Sequence, residues 1–264
     1  MRIDLSQRRA VVSGSTAGIG FAIAKGLAAA GAQVVINGRG AERVEQAVAD
    51  LRQALPGARV EGVAADLGTA AGAADFLLRV PETDILINNL GIYQTQDFFT
   101  IDDTEWERFF QVNVLSAVRL SRHYAPGMAK RGWGRVQFIS SESAVQPQPD
   151  MVHYGMSKTA LLSVSRGLAG VLAGSGVTVN AVLPGPTHSE GVARMLCAQA
   201  RATGVAEAEV AADFIRQQRP ASLIRRLASA DEVANMVVYL ASEQASATSG
   251  AALRVDGGVC PSIL

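Results

Sequence analysis

Short apolar runs alternate with longer stretches of helical period along this chain. The runs cover residues 10–13, 33–37, 59–64, 84–88, 134–140, 178–182 and 251–255; they are rich in Val and Ile, and several end on Gly, Asn, Ser or Asp. Unbroken apolar runs suit strands buried on both faces, as in a parallel sheet. Helical patterns fill residues 18–30, 41–55, 69–79, 104–131, 151–173 and 230–241. This alternation predicts an α/β fold: a doubly wound parallel sheet of seven strands, with right-handed crossovers placing helices on both faces.

No linker divides the chain, so residues 1–264 are expected to form one domain. Two segments break the rhythm. Residues 142–150 carry Pro147 and Pro149, and residues 184–229 are long, irregular and partly helical. Both follow the C-terminal ends of strands, where open α/β sheets bind ligands. The second is expected to hold a substrate lid around 186–222 rather than a plain surface excursion.

Composition narrows the picture. A chain of 264 residues can bury roughly three-quarters of its unfolded surface, so it needs no disulfide or metal staple. It is 48% apolar and 18% charged, with formal net charge zero. Nothing in that balance attracts nucleic acid or an anionic membrane. No apolar stretch of about 20 residues reads as membrane-spanning. Cys197 and Cys260 have no metal-ligand spacing, which points to a reducing compartment. Residues 1–6 enter the first strand almost at once and leave no room for a signal peptide. A cytoplasmic protein without nucleic-acid, membrane or metal partners is expected.

The first strand runs into Gly14-x-x-x-Gly18-x-Gly20 and then a helix. Gly14 permits a tight turn, Gly18 lets the backbone approach a pyrophosphate, and Gly20 lets helix and strand pack closely. Backbone N–H groups of Ser15, Thr16, Ile19 and their neighbours then face phosphates at a helix N-terminus. The spacing differs from G-x-G-x-x-G, and a Gly-rich turn alone is weak; its place after the first buried strand gives it weight. The second strand ends in Asn37-Gly38-Arg39. NAD binders place a carboxylate here for the adenosine 2′-hydroxyl; a guanidinium instead suits a 2′-phosphate. This favours NADP(H), with NAD(H) use left open. The competing view of Arg39 is a solvated residue at a helix start, and Arg43 one turn on either contributes to the same contact or is surface. Asp66-Leu67 closes the third strand, where the carboxylate would accept from an adenine amino group, cap the next helix, or both.

Tyr154 and Lys158 lie four apart in a helical segment and so share one face. Ser141 ends the preceding strand region, thirteen residues before Tyr154, and Asn113 lies in the helix after strand four. Together with residues 13–20, Asp66, Asn88-Asn89-Leu90-Gly91, Pro184-Gly185 and residues 254–258, these motifs make the chain resemble the short-chain dehydrogenase/reductase family over nearly its whole length. Within that family it is similar to 3-oxoacyl-carrier-protein reductases and NADP-dependent ketone reductases.

The resemblance implies roles. Tyr154 would be the general acid of reduction and the base of oxidation. Its free pKa of ~10 is too high for an efficient base near neutrality, and the Lys158 charge and an oxidised nicotinamide would both favour phenolate. Lys158 would also hold the ribose hydroxyls, Ser141 would bond the substrate oxygen, and Asn113 would hold a water relaying protons from Lys158. Asn89 and Gly91 would line the nicotinamide ribose, and Pro184, Gly185 and Thr187 the carboxamide. Leu90 stands where the family usually has Ala, and Ser13 where it has Thr. Ala17 stands where many NADP-preferring members carry a basic residue, which would leave Arg39 to hold a 2′-phosphate largely alone. Members of this branch commonly form tetramers, so a homo-oligomer, tetramer or dimer, is expected. The apolar C-terminus and the aromatic cluster from Phe98 to Phe110 fit core or interface packing.

Other residues are less committed. Gln148 and His188 are candidate substrate contacts. His153 either lines the substrate site or sits at the surface or an interface. Glu142 either orients Ser141 or is solvated. The function expected is hydride transfer between NADP(H) and a small-molecule carbonyl/secondary alcohol pair, as in a ketone or 3-oxoacyl reductase. Two alternatives stay open. One is a non-catalytic NADP(H)-binding sensor, which should have lost Tyr154 or Lys158. The other is a related reaction such as enoyl reduction, dehydration or epimerisation. By resemblance, enoyl reductases of this fold use a wider Tyr–Lys spacing.

Overall fold

Nine strands form in a computed structural model that describes residues 2–263. They are β1 (Arg9–Val12), β2 (Gln33–Gly38), β3 (Val60–Ala64), β4 (Ile85–Asn88), β5 (Gly134–Ile139), β6 (Val177–Pro184), β7 (Thr187–His188), β8 (Ala228–Ser229) and β9 (Ala252–Val255). Seven of them make one sheet in the order β3-β2-β1-β4-β5-β6-β9, with every pair parallel. All seven predicted strands are present, with ends shifted by at most one residue. The exception is β6, which starts one residue early and runs two further, to Pro184. The two-residue strands β7 and β8 pair separately and have no counterpart in the sequence reading.

The helices are α1 (Gly18–Ala29), α2 (Ala41–Ala54), α3 (Ala70–Arg79), α4 (Asp103–Phe109), α5 (Ser116–Arg131), α6 (Val152–Val171), α7 (Glu190–Thr203), α8 (Glu207–Gln218) and α9 (Ala230–Leu240). Period-two alternation along each strand sends side chains to two cores. Val12, Val34, Ile36, Ile85 and Ile87 pack against Ile23 and Leu27 of α1, Val48 and Leu51 of α2, and Val233 and Val237 of α9. Val11, Val35, Leu86, Val136 and Phe138 face the other way, onto Phe76 of α3, Leu120 and Tyr124 of α5, and Leu161 of α6. The result is a single Rossmann-like domain with a helical layer on each face.

Two regions depart from expectation. The helix predicted over 104–131 is interrupted by a wide π turn, Phe110–Leu115, between α4 and α5. Asn113 lies in that turn, fully buried. The segment 186–222 folds as two true helices, α7 and α8, rather than as a mainly irregular loop. They share a small core of their own, Leu196, Val210, Ile215 and Leu227, which is why the segment keeps a shape while standing off the main sheet. Ser189 caps α7, and Ser229 and Glu232 form a capping box at α9, so the segment starts and ends on satisfied helix termini.

Candidate active site

A continuous cleft lies across the C-terminal ends of the strands, at the point between β1 and β4 where the strand order reverses. Ile19, Asn89, Gly91, Tyr93 and Ser189 line both of its halves.

The first half is built on the β1–α1 turn. Gly14 and Gly18 adopt φ of 61° and 57°, a conformation other residues rarely take. A Cβ on Gly20 would lie 2.5 Å from both the Asn89 side-chain nitrogen and the Gly14 carbonyl oxygen. The turn is therefore as tight as its glycines imply. Helix α1 begins after Ala17, which offers no side-chain cap, so the first N–H groups of α1 face the cleft without a protein acceptor from the capping position. Gly14, Thr16, Gly18, Ile19, Gly20, Arg39 and Leu67 all line this half, as predicted. So do Arg43 and, from α7, Arg194. Arg39 is thus not alone, contrary to expectation. Glu190 bonds both added arginines, Arg43 at 3.4 Å and Arg194 one helical turn along α7. An uncapped helix N-terminus beside three guanidinium groups fits a dinucleotide carrying phosphates.

The second half holds the predicted chemistry. Ser141, Tyr154 and Lys158 line it together with Asn89, Gly91, Pro184, Gly185 and Thr187. Lys158 is buried, and its ammonium donates to the Ile139 carbonyl at 2.9 Å and lies 5.6 Å from the Tyr154 ring centroid. Asn113 uses both ends of its amide. Its oxygen accepts from the Ile92 N–H at 2.8 Å, and its nitrogen donates to the Ile92 carbonyl at 3.0 Å and to Ser157 Oγ at 2.9 Å. That clamps the segment after β4 against α6. A Cβ on Gly91 would sit 3.1 Å from Lys158 Nζ and 3.5 Å from Asn113 Oδ1, so only glycine leaves that approach open.

Burial acts on both Tyr154 and Lys158. It pushes the Tyr154 phenol above its ordinary ~10, with the nearby Glu142 charge and Tyr93 adding to the rise and a hydrogen bond with Ser141 opposing it. It lowers the Lys158 ammonium to about 8. The expected downward pull of Lys158 does not figure among the influences on the phenol, and desolvation sets its direction.

Several sequence expectations are corrected. Ser15 is fully buried and turned away from the cleft: its backbone N–H donates to the Asn37 carbonyl at 2.8 Å, and its Oγ donates to the Val12 carbonyl at 2.6 Å and accepts from the Asn37 N–H at 3.0 Å, so it ties β1 to β2. Asp66 does not line the cleft; its Oδ1 accepts from the Gly68 N–H at 3.0 Å, while Thr69 caps α3. Gln148 lies outside the lining and donates to the Gln146 carbonyl. His188 points outward from β7, half exposed and 3.8 Å from Glu207, because its neighbours Thr187 and Ser189 take the inward positions of the strand alternation. His153 is neither surface nor substrate contact. It is fully buried against Phe109, with ring centroids 4.1 Å apart, and neither ring nitrogen has a partner among the described residues. Burial accordingly lowers its pKa.

Three participants were missed or left open. Tyr93, from the segment after β4, packs edge-on to Tyr154 at 6.4 Å between centroids. Arg194 could be placed only once α7 was known. Glu142 is buried and bonded to Ser141, as one of its two readings had it, and it pairs with Arg219 just past α8. Adjacency to Ser141 was its only signal in the sequence.

Comparison with known proteins agrees with this geometry. A family model described as Enoyl-(Acyl carrier protein) reductase matches residues 14–260. An uncharacterized oxidoreductase, YvaG of Bacillus subtilis, is 45% identical over the full length of both chains. The 3-oxoacyl-[acyl-carrier-protein] reductase FabG of Aquifex aeolicus is 33% identical over 98% of this chain and 100% of its own. The crystal structure of L-sorbose reductase from Gluconobacter frateurii, complexed with NADPH and L-sorbose, superposes with a TM-score of 0.94 at 32% identity and covers all of both chains. This chain belongs to the short-chain dehydrogenase/reductase family. Like other members of the short-chain dehydrogenase/reductase family, it is an oxidoreductase. Among the described residues no helix is long and apolar enough to cross a membrane, and no group of His, Cys, Asp and Glu could hold a metal ion.

The buried lysine yields a prediction about stability. Its folded pKa of about 8 lies below the unfolded value of 10.5, so the unfolded chain holds the extra proton between those limits. Stability should therefore rise with pH through that window, and the penalty should be full below it. Lys158→Met is expected to stabilise the protein at pH 7 by about 1–3 kcal/mol and to flatten the pH dependence, read from urea unfolding at several pH values. A destabilised variant with an unchanged slope would contradict this account.

Proposed function

We propose that the chain is an NADP(H)-dependent oxidoreductase that interconverts a carbonyl and a secondary alcohol on a small molecule, as a ketone or 3-oxoacyl reductase does. The observation that carries this reading is that Ser141, Tyr154 and Lys158 line one cleft, and that this cleft runs on without a break to an end lined by Arg39, Arg43 and Arg194. The NADPH held by the similar sorbose reductase supports the same assignment.

Gly14, Thr16, Gly18, Ile19 and Gly20 would hold the dinucleotide's pyrophosphate. Arg39, helped by Arg43 and Arg194, would hold a 2′-phosphate. Leu67 would face the adenine, and Asp66, turned to its own loop, would do so only by a change of rotamer. Asn89, Gly91, Lys158, Pro184, Gly185 and Thr187 would surround the nicotinamide and its ribose. When bound, the dinucleotide supplies hydride for reduction and accepts it in oxidation.

In reduction Tyr154 gives its phenolic proton to the substrate oxygen, and its raised pKa keeps that proton available at neutral pH. Ser141 steadies the reacting oxygen beside it. Lys158 steadies the phenolate that remains, and Asn113, fixed by Ile92 and Ser157, sets the lysine's surroundings. In oxidation the same groups act in reverse, and the proton leaves the alcohol for Tyr154. Helices α7 and α8 serve as the lid, placing Val192 and Phe214 against the substrate. The Tyr–Lys spacing of four favours this chemistry over enoyl reduction, despite the wording of the matching family description.

The tests begin with absorbance at 340 nm, using NADPH or NADH and a panel of ketones, β-ketoesters and acetoacetyl thioesters. Tyr154→Phe should lower kcat by about 10²–10⁴-fold while NADPH binding, followed by its fluorescence, stays within a few-fold. Retained turnover would remove Tyr154 from the acid's role. Arg39→Asp should raise the kcat/KM ratio of NADH to NADPH by at least about tenfold; an unchanged ratio would remove Arg39 from cofactor choice. We also propose a cytoplasmic homo-oligomer, a tetramer or dimer, resting on the aromatic side chains around α4. Phe99 is 92% exposed and Phe110 is 41% exposed in the single chain. Light scattering should give a multiple of 27.6 kDa, and a monomer would overturn that part.

A further inference from the structure

One buried ion pair at this site has no part in the mechanism above. The Glu142 side chain is 6% exposed and the Arg219 side chain 12% exposed, and both line the substrate half of the cleft. Arg219 Nε and Nη2 both donate to Glu142 Oε1, each at 3.3 Å. The other carboxylate oxygen, Oε2, accepts the Ser141 hydroxyl at 2.6 Å. Ser141 Oγ in turn accepts the Ser143 N–H at 3.1 Å, the hydrogen bond that starts a short 3-10 turn at Glu142–Ala144.

A serine hydroxyl carries a single hydrogen. Here a carboxylate takes it, and an ionised acceptor holds it more strongly than a neutral carbonyl would. That hydrogen bond holds Ser141 Oγ in place beside Tyr154, and the hydrogen passes to the substrate oxygen or the phenolate only as negative charge builds there. The partner of this carboxylate is Arg219, carried by the end of α8. Where α8 sits thus bears on how Glu142 is held and, through it, how Ser141 is turned.

The charged and titratable groups around Glu142 come from four elements. Arg219 follows α8, and Tyr154 and Lys158 lie on α6. Tyr93 lies after β4. Cys260 and Asp256 belong to the C-terminal segment, with the Cys260 thiol 3.7 Å from the Glu142 carbonyl oxygen. Among these described groups Arg219 is the one that pairs with the Glu142 carboxylate.

We propose that Glu142 and Arg219 form a positioning pair that holds Ser141 by its only hydroxyl hydrogen and ties the seating of α8 to the acid–base behaviour of Tyr154. The proposal rests on the oxidoreductase reading and names two residues beyond the serine, tyrosine and lysine that act on the substrate. Neither residue transfers a proton to substrate itself. Glu142 acts through Ser141, and Arg219 acts through Glu142.

The experiment compares Glu142→Gln, Arg219→Gln and Arg219→Lys with the unsubstituted protein, each measured for kcat and KM against pH in both directions. NADPH fluorescence serves as the check on folding and cofactor binding. Glu142→Gln should bind NADPH within about threefold of the parent and lose about tenfold in kcat with KM little changed. Its midpoint for alcohol oxidation should move to lower pH by about half a unit or more, because a negative charge facing the phenol has gone. Arg219→Gln removes a positive charge and leaves the carboxylate, so it should lose in kcat while its midpoint moves to higher pH, and Arg219→Lys should recover at least part of both changes. A Glu142→Gln pH profile that superimposes on the parent, with kcat within about twofold, overturns the proposal. So does a loss confined to KM. If Glu142→Gln does not fold, the two Arg219 variants decide by the same readout, and parent-like profiles in both overturn the proposal. No turnover by the unsubstituted protein with any carbonyl or alcohol overturns the oxidoreductase reading and this proposal with it. An active parent with unaltered variants sinks this proposal alone.

Discussion

Everything at this site hangs on a small knot of hydrogen bonds between the ends of β1 and β4. The chain leaves β1 toward α1 on one face of the sheet and leaves β4 toward α4 and α5 on the other, so the two strand ends must part and a crevice must open between them. Parting them exposes backbone donors and acceptors that need partners. Ser13 and Asn89 supply them. Ser13 Oγ accepts from the N–H groups of Asn89 at 2.9 Å and Leu90 at 3.0 Å, and the Asn89 amide donates to the carbonyls of Ser13 at 3.0 Å and Gly14 at 2.9 Å. The hydroxyl at position 13 is what matters, so serine serves as well as the threonine usual in this family.

From that knot the rest follows outward. The close approach puts the Leu90 Cα 3.1 Å from where a Gly14 Cβ would stand, so Leu90 is accommodated by the glycine opposite it rather than by a shift of the backbone. Past Leu90 the chain passes Gly91 and Ile92, and Ile92 is gripped at both its N–H and its carbonyl by Asn113. Asn113 reaches them from a π turn, and such a turn moves a side chain out of the regular helical register. Asn113 also bonds Ser157, whose neighbour is Lys158. A single run of bonds therefore joins the floor under the first glycine turn to the helix that carries the tyrosine and lysine. The cofactor half and the chemical half are held in one frame rather than built as separate sites.

The main sheet was legible because its information is local. Continuous apolar runs gave the strands, the Gly14–Gly20 turn gave the switch point, and Tyr154 and Lys158 lie one helical turn apart. What escaped was set by contacts distant in sequence. Arg219 meets Glu142 across 77 positions, and no spacing rule links them. The π turn at Asn113 has a helical hydrophobic pattern, so periodicity cannot separate it from α4 and α5. Ser15 and Asp66 were given cofactor roles by their place in a motif, but Ser15 spends its side chain joining β1 to β2 and Asp66 spends its own on the loop after β3. His188 fell to an alternation too short to see, a two-residue strand. His153 was misjudged on residue type. Histidine is usually found with a partner, and here an aromatic wall of Phe109 and Trp106 buries it instead.

Burial sets the direction in which the two titratable groups of the site are shifted. Removing water disfavours charge on any side chain, so it raises a phenol and lowers an ammonium. Both changes occur here, and they push Tyr154 and Lys158 toward their neutral forms together. The Glu142 carboxylate adds to this, since a second negative charge on Tyr154 would face one already present. A phenol kept protonated by its surroundings is prepared to give a proton, which is what reduction of a carbonyl demands of it. To accept a proton in oxidation, the same group needs a positive charge brought close enough to outweigh both desolvation and Glu142. On the proposed reading, the surroundings of Tyr154 therefore favour the proton-giving direction, and the proton-accepting direction requires a positive charge beside the phenol.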